Sequence, residues 1–177
     1  MRLRRPLAPS TLVTSSTNAG AAGGIALKHF GKGDTIGFIG CGAIGRVMAR
    51  AAKAVQPDFK GVCYAPDGSH ETFAAEMSAE LGVPFTAMSS AEEMCGASDV
   101  IYTQTPGSTT CVEKSWLKPH ATIICSGSDQ PTKQEIPTDI LKASKYVSDL
   151  TKQTSKVGEL RSAIADGSMT EADVYAE

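Results

Sequence analysis

A chain of 177 residues, 41 % apolar and 20 % charged, has the composition of an ordinary folded domain, and at this length roughly 70 % of the unfolded surface can be buried on folding. A formal charge of −2 and a pI near 5.9 leave no basic stripe for a nucleic-acid backbone. No run of about 18 apolar residues is present, so no segment reads as a membrane-spanning helix.

The first 33 residues are rich in Arg, Ser and Thr and hold no acid before Asp34. Pro6 and Pro9 interrupt any amphipathic helix there, so residues 1–19 read first as a flexible leader and second as a mitochondrial transit segment. From Thr35 onward, β-rich runs alternate with helical patterns, which predicts βαβ units on a doubly wound, Rossmann-type α/β sheet that is mostly parallel. Six strands are predicted, at Ile36–Gly40, Gly61–Ala65, Pro84–Ala87, Val100–Thr105, Thr122–Cys125 and Tyr146–Leu150. Their residues are mostly apolar on both faces, as strands covered by helices on both sides must be.

The helices are read from their period. Ile44, Val47, Met48, Ala51 and Val55 recur at helical spacing and place one stripe on the sheet, with Arg46 and Arg50 outside it. A second helix runs from Ser69 through Phe73, Ala74, Met77 and Leu81 and stops at Gly82. Ser90 followed by Glu93 has capping-box spacing and starts a third. A helical turn lies within QPTKQEIPTDILKASKY, and Thr151 to Gly167 reads as one last helix. The five cysteines form no CxxC pair and cannot form a complete disulfide set, which favours a reducing, cytoplasmic compartment.

Gly40, Gly42 and Gly45 make G-x-G-x-x-G between a predicted strand and a predicted helix, the context in which that pattern marks a dinucleotide site. Gly40 permits a tight turn, Gly42 lets the backbone approach a pyrophosphate, and Gly45 allows close helix packing, with Cys41, Ala43 and Ile44 completing the turn. The pyrophosphate would rest on free N–H groups at the positive end of the helix dipole. The alternative is a βα turn with no ligand. An acid at the end of the second strand would hold the ribose of NAD, but Ala65 stands there and Asp67 follows two residues late. With no Arg for a 2′-phosphate, NAD and NADP both remain candidates.

At the carboxyl ends of the fourth and fifth strands, Thr103, Thr105, Pro106 and Gly127 are placed to line the cofactor crevice. Asp129, in CSGSDQPTK, could serve there as a general acid or base, although a lone loop Asp is more often a turn or cap residue. No metal-ligand set is evident.

Together, GAAGGIALKHF, IGFIGCGAIGR, SDVIYTQTP, SGSDQPTKQEIPTDILKASKYVSDL and GELRSAIADG resemble the ornithine cyclodeaminase and mu-crystallin family, in that family's order and from Gly20 to about Glu177. The resemblance implies a dimeric, NAD(P)-dependent protein whose chemistry is cyclodeamination, a lyase reaction, or oxidoreductase chemistry on an amino acid or imine. It implies that Gly20–Phe30 is the helix entering the Rossmann domain, that residues 20–177 are that domain, and that Asp129 is the catalytic aspartate, with Lys133 and Glu135 in the block after it. The family's Arg-Thr pair is here Asn18 and Ala19, and the residues that grip the substrate carboxylate have no counterpart. The expectation is therefore a truncated or divergent relative that binds substrate only if a complementary domain is supplied. Its alternative is a non-catalytic dinucleotide- or small-ligand-binding protein of mu-crystallin type, and a third is a fold that binds nothing. Ala21, Ile25 and Phe30 are expected to be exposed and to favour homo-oligomers.

Overall fold

The computed structural model describes residues 11–177. Five strands, β1 (Thr35–Ile39), β2 (Lys60–Tyr64), β3 (Phe85–Ala87), β4 (Val100–Thr103) and β5 (Thr122–Cys125), form one parallel sheet in the order β3-β2-β1-β4-β5. Seven α-helices are described: α1 (Thr11–Phe30), α2 (Ala43–Val55), α3 (Ser69–Leu81), α4 (Ala91–Ala97), α5 (Thr138–Ala143), α6 (Thr151–Thr154) and α7 (Leu160–Ala165). The expected Rossmann-type α/β architecture is present. None of the described helices is long and apolar enough to cross a membrane.

β1 is paired on both edges: Phe38 stands beside Cys63 of β2 and Tyr102 of β4. Alternation then divides its side chains between two cores, Ile36 and Phe38 on one face and Ile39 on the other. On the first face Phe38 stacks on Tyr102 with centroids 5.3 Å apart, and Phe59, Phe73 and Phe85 close around it at 5.6–6.5 Å. Helices α1, α2 and α3 cover that face with Leu27, Met48, Ala49, Phe73 and Met77. On the second face Met94 of α4 joins Ile101, Ile136, Ile140, Leu160 and Ala163, so the C-terminal segments are part of the fold's packing.

Helix α1 begins at Thr11 rather than near Gly20, so residues 11–19, read from sequence as leader, are helical. Its Ser/Thr content gives a weak intrinsic helix signal. Gly23 sits against Met48 and Tyr102 with no room for a side chain, and the Tyr102 hydroxyl donates to the Gly23 carbonyl at 2.9 Å. The transit reading covers residues 1–19, and its first ten residues, with Pro6 and Pro9, lie outside the described residues.

Two expectations from the C-terminal third need correction. Tyr146–Leu150 is no sixth strand: Val147 forms one isolated parallel bridge to Ala176, and Leu150 is exposed. The run contains Ser148 and Asp149, and its backbone is satisfied by the chain's own end through Ser148 to Ala176 and Tyr175 to Tyr146. β5 is therefore the sheet edge, which leaves Cys125 exposed while Cys41, Cys63 and Cys95 are buried. All five thiols are free. The single helix expected over Thr151–Gly167 is two short ones, α6 and α7, interrupted at Gly158 with φ +136°.

That interruption turns Glu159 inward. Its carboxylate accepts from the backbone N–H groups of Glu135 and Ile136, each at 3.0 Å, and from Gln134 Nε2 at 2.8 Å. Burial outweighs these hydrogen bonds and pushes the Glu159 carboxyl up to about 7.

Phe38→Ala is expected to lower unfolding stability by about 3–5 kcal/mol, measured in urea, because four aromatic neighbours lose their common contact. Between its ordinary value of 4.5 and about 7, Glu159 holds its proton in the folded chain and has released it in the unfolded one. The folded state then binds more protons, so this group's contribution to stability declines as pH rises through that window, by roughly 3 kcal/mol. Denaturation midpoints followed from pH 4.5 to about 7 should fall less steeply for Glu159→Gln; equal slopes would exclude Glu159 as the source.

Candidate functional site

The strand order reverses at β1, with β2 on one side and β4 on the other, and in a doubly wound sheet this reversal is where a ligand crevice lies, beyond the carboxyl ends of the strands. β1 runs directly into Gly40, whose φ of +94° is the left-handed region. A Cβ there would lie 2.5 Å from the Gln104 carbonyl oxygen. The turn is clamped from both neighbours: Gly40 N donates to Tyr64 O at 3.3 Å, and Gln104 Nε2 donates to Gly40 O at 2.6 Å. Cys41 is buried, its thiol 3.8 Å from Tyr64 O.

Gly42 is the N-cap of α2. It is exposed, no side chain caps the helix, and a Cβ built on it would meet nothing within 4 Å. The first-turn N–H groups of Ala43, Ile44 and Gly45 have no intrahelical partner, and they stand at the positive end of a helix of 13 residues. Gly45 itself is buried, and a Cβ on it would lie 2.5 Å from Gly40 O. Open space at Gly42 between two glycines with none is the shape of a phosphate cradle.

Arg46, read from sequence only as lying outside the apolar stripe, braces this turn. It donates to Cys41 O at 2.5 Å and Gly42 O at 3.3 Å, its Nε reaches Glu76 at 2.9 Å, and its guanidinium lies 5.6 Å above the Phe73 ring. Helical spacing reports which side a residue occupies, and it carries no signal for a side chain that bends back over the helix start.

At the end of β2, Ala65 is buried and Asp67 is exposed. The Asp67 carboxylate accepts from Ser69 Oγ at 2.7 Å and Ser69 N at 3.0 Å, which holds its carboxyl below the usual range. Asp67 is thus engaged in a local turn just before Gly68, the N-cap of α3.

Thr103 is fully buried and its hydroxyl donates to Glu135 at 2.8 Å, so it forms the floor of the crevice rather than its lining. Thr105 is half-buried, Pro106 is exposed, and the Thr105 hydroxyl and Gln104 Oε1 are buried without a hydrogen-bond partner. Gly127 is buried, and its N–H donates to Glu135 at 2.8 Å. Asp129 stands on the rim with its side chain 63 % exposed, paired to Lys133 Nζ at 2.7 Å. The structure therefore brings the glycine turn, Thr105, Pro106, Gly127 and Asp129 to one end of the sheet. Gln104 and Glu135, which tie these loops together, had no assigned role in the sequence, because their partners are far away along the chain.

The sequence profile of the ornithine cyclodeaminase/mu-crystallin family matches residues 6–176. Alanine dehydrogenase of Archaeoglobus fulgidus is 31 % identical over 165 residues, 92 % of this chain and 51 % of that protein. Iminosuccinate reductase of Paracoccus denitrificans is 28 % identical over 87 % of this chain and 48 % of its own length. Among solved structures, Δ1-pyrroline-2-carboxylate reductase of Thermococcus litoralis, in complex with NADH and L-proline, superposes with a TM-score of 0.88 at 26 % identity, covering 94 % of this chain and 53 % of that one. The chain thus spans about half the length of the relatives it matches. With blocks in family order and a fold that superposes on these proteins, the chain belongs to the ornithine cyclodeaminase/mu-crystallin family.

Proposed function

We propose that this chain is the NAD(P)-binding half of an oxidoreductase or cyclodeaminase acting on a small amino acid or imine. The observation that carries the reading is the open, uncapped start of α2 at Gly42, where backbone donors and the helix dipole face free space. Similar proteins support it, since solved relatives hold NADH or NAD⁺. The N–H groups of Ala43, Ile44 and Gly45 bind the pyrophosphate, with Gly40 and Cys41 shaping the turn. The small, buried Ala65 and the exposed Asp67 flank the adenosine ribose, and either NAD or NADP fits this pattern.

The nicotinamide, when bound, supplies two-electron redox chemistry at the substrate carbon. Thr105, Pro106 and Gly127 line its side of the crevice, above the floor that Thr103 makes. Asp129, exposed beside the Lys133 ammonium, holds or moves a proton at the reacting nitrogen or carbon. Lys133 keeps that carboxylate oriented through its 2.7 Å contact.

Titration calorimetry with NADH and with NADPH tests the reading, and heat with neither would overturn it. Gly42→Val should lower stability by no more than about 1 kcal/mol, the loss of a favourable N-cap residue, because φ −83° suits any residue and a Cβ there meets nothing. The same substitution should weaken nucleotide binding at least about tenfold. Gly40→Ala should instead destabilise the fold by about 2 kcal/mol or more, through positive φ and collision with the Gln104 carbonyl.

The chain is also proposed to self-associate through the outer face of α1 and α2. Ile25, 61 % exposed, lines an apolar groove of about 470 Å³ with Gly20, Ala21, Gly24, Ala51 and Val55, and Phe30 at the end of α1 is 46 % exposed. Light scattering at rising concentration should give masses above 18.5 kDa that Ile25→Glu with Phe30→Glu returns to the monomer value. A constant monomer mass in the unsubstituted protein would contradict this.

A further inference from the structure

Glu135 is fully buried, yet it lies in the irregular segment between β5 and α5. Its Oε2 accepts from Thr103 Oγ1 and from Gly127 N, each at 2.8 Å, and its Oε1 accepts from Thr105 N at 2.5 Å. Thr105 and Gly127 lie past the ends of β4 and β5, beyond the last paired residues, Thr103 and Cys125. The carboxylate thus replaces the ladder where the ladder stops. Gly127 approaches so closely that a Cβ on it would overlap the carboxylate. The segment is itself anchored, since Glu135 N and Ile136 N both donate to Glu159.

Burying a carboxylate costs several kcal/mol unless hydrogen bonds to it are complete, and an apolar side chain here would leave two backbone donors unpaired. All three donors come from the two strand ends that carry Thr105, Pro106 and Asp129. In a doubly wound sheet the two halves of a dinucleotide lie on opposite sides of the reversal point. Ala65 and Asp67, beyond β2, belong to the adenosine side, and β4 and β5 belong to the nicotinamide side.

We propose that Glu135 is a positioning residue for the nicotinamide half of the site: its carboxylate sets the spacing of the loops after β4 and β5, and it touches no ligand itself. This rests on the dinucleotide reading above.

The test compares NADH with ADP-ribose, which keeps the pyrophosphate and lacks the nicotinamide, on wild type and Glu135→Gln. Glutamine replaces one acceptor oxygen with an N–H₂ that faces an N–H, releasing one loop. The expected result is a loss of about tenfold or more in NADH affinity with ADP-ribose affinity held within about twofold. The emission of bound NADH should also move toward that of NADH in water. Equal loss of both ligands, or loss of neither, overturns the proposal while leaving the dinucleotide reading intact. A wild type that binds neither overturns both. Should the variant fail to fold, amide exchange in the wild type decides: the Thr105 and Gly127 amides should exchange slowly although they lie beyond the strands, and fast exchange at both overturns the proposal.

Discussion

β1 lies in the middle of a parallel sheet, paired on both edges and covered on both faces, and the other elements are arranged to keep it so. Parallel pairing requires a crossover between neighbours, and each crossover helix must bury its apolar stripe on the sheet. The chain leaves β1 through α2 toward β2 and β3, then returns through α4 to β4 on the other side of β1 and goes on to β5. Phe38 then meets α2, α3 and four other aromatic rings, while Ile39 meets the core built by α4 and the C-terminal helices. The reversal of strand order at β1 is where the proposed site lies, so its position is a geometric consequence of how this one strand is paired.

At the crevice the backbone's polar groups can be followed one by one, because buried N–H and C=O groups must find partners. Gly40 N goes to Tyr64 O, Gln104 N to Ile39 O, and Gly40 O accepts the Gln104 amide. Cys41 O and Gly42 O accept Arg46. Thr105 N and Gly127 N go to Glu135. The first-turn donors of α2 are left over, held in place by all the groups already satisfied around them. A rigid surround with free first-turn donors is what the proposed pyrophosphate site requires, since little would be left to order when a ligand arrives.

What was legible in the sequence is what depends on neighbours along the chain. The stripe from Ile44 to Val55 and the stop at Gly82 report local periodicity and local capping, and α2 and α3 lie where they were expected. The glycine turn was legible because strand, turn and helix are contiguous. Ser90 does cap α4 by accepting from Glu93 N, but Glu93 returns to Ser89 rather than to Ser90, so the predicted reciprocal pair is only half made. The roles of Gln104 and Glu135 were not legible, because each depends on partners that only the fold brings near, and that of Arg46 was not, because helical spacing does not show a side chain bending back over the helix start. The supposed sixth strand failed for the same reason: its apolar pattern was compatible with a strand, and pairing was decided by Ala176 at the far end of the chain.

The C-terminal third shows how polar burial can substitute for regular structure. Helices α5, α6 and α7 have six, four and six residues, too short to be stable by their own hydrogen bonds. Ile140 of α5 and Leu160 and Ala163 of α7, with Ile136 just before α5, join the second core, while α6 buries nothing. Apolar packing is not directional, however, and by itself would allow these short pieces to slide. Two buried glutamates remove that freedom in sequence, Glu159 fixing the backbone of residues 135 and 136, and Glu135 fixing the strand ends above the sheet. An apolar replacement could match their volume, yet it would strand four backbone N–H groups that have no other acceptor within the core. The carboxylates are therefore retained for direction rather than for cohesion, and the geometry they impose passes from the C-terminal turn at Gly158 to the crevice itself.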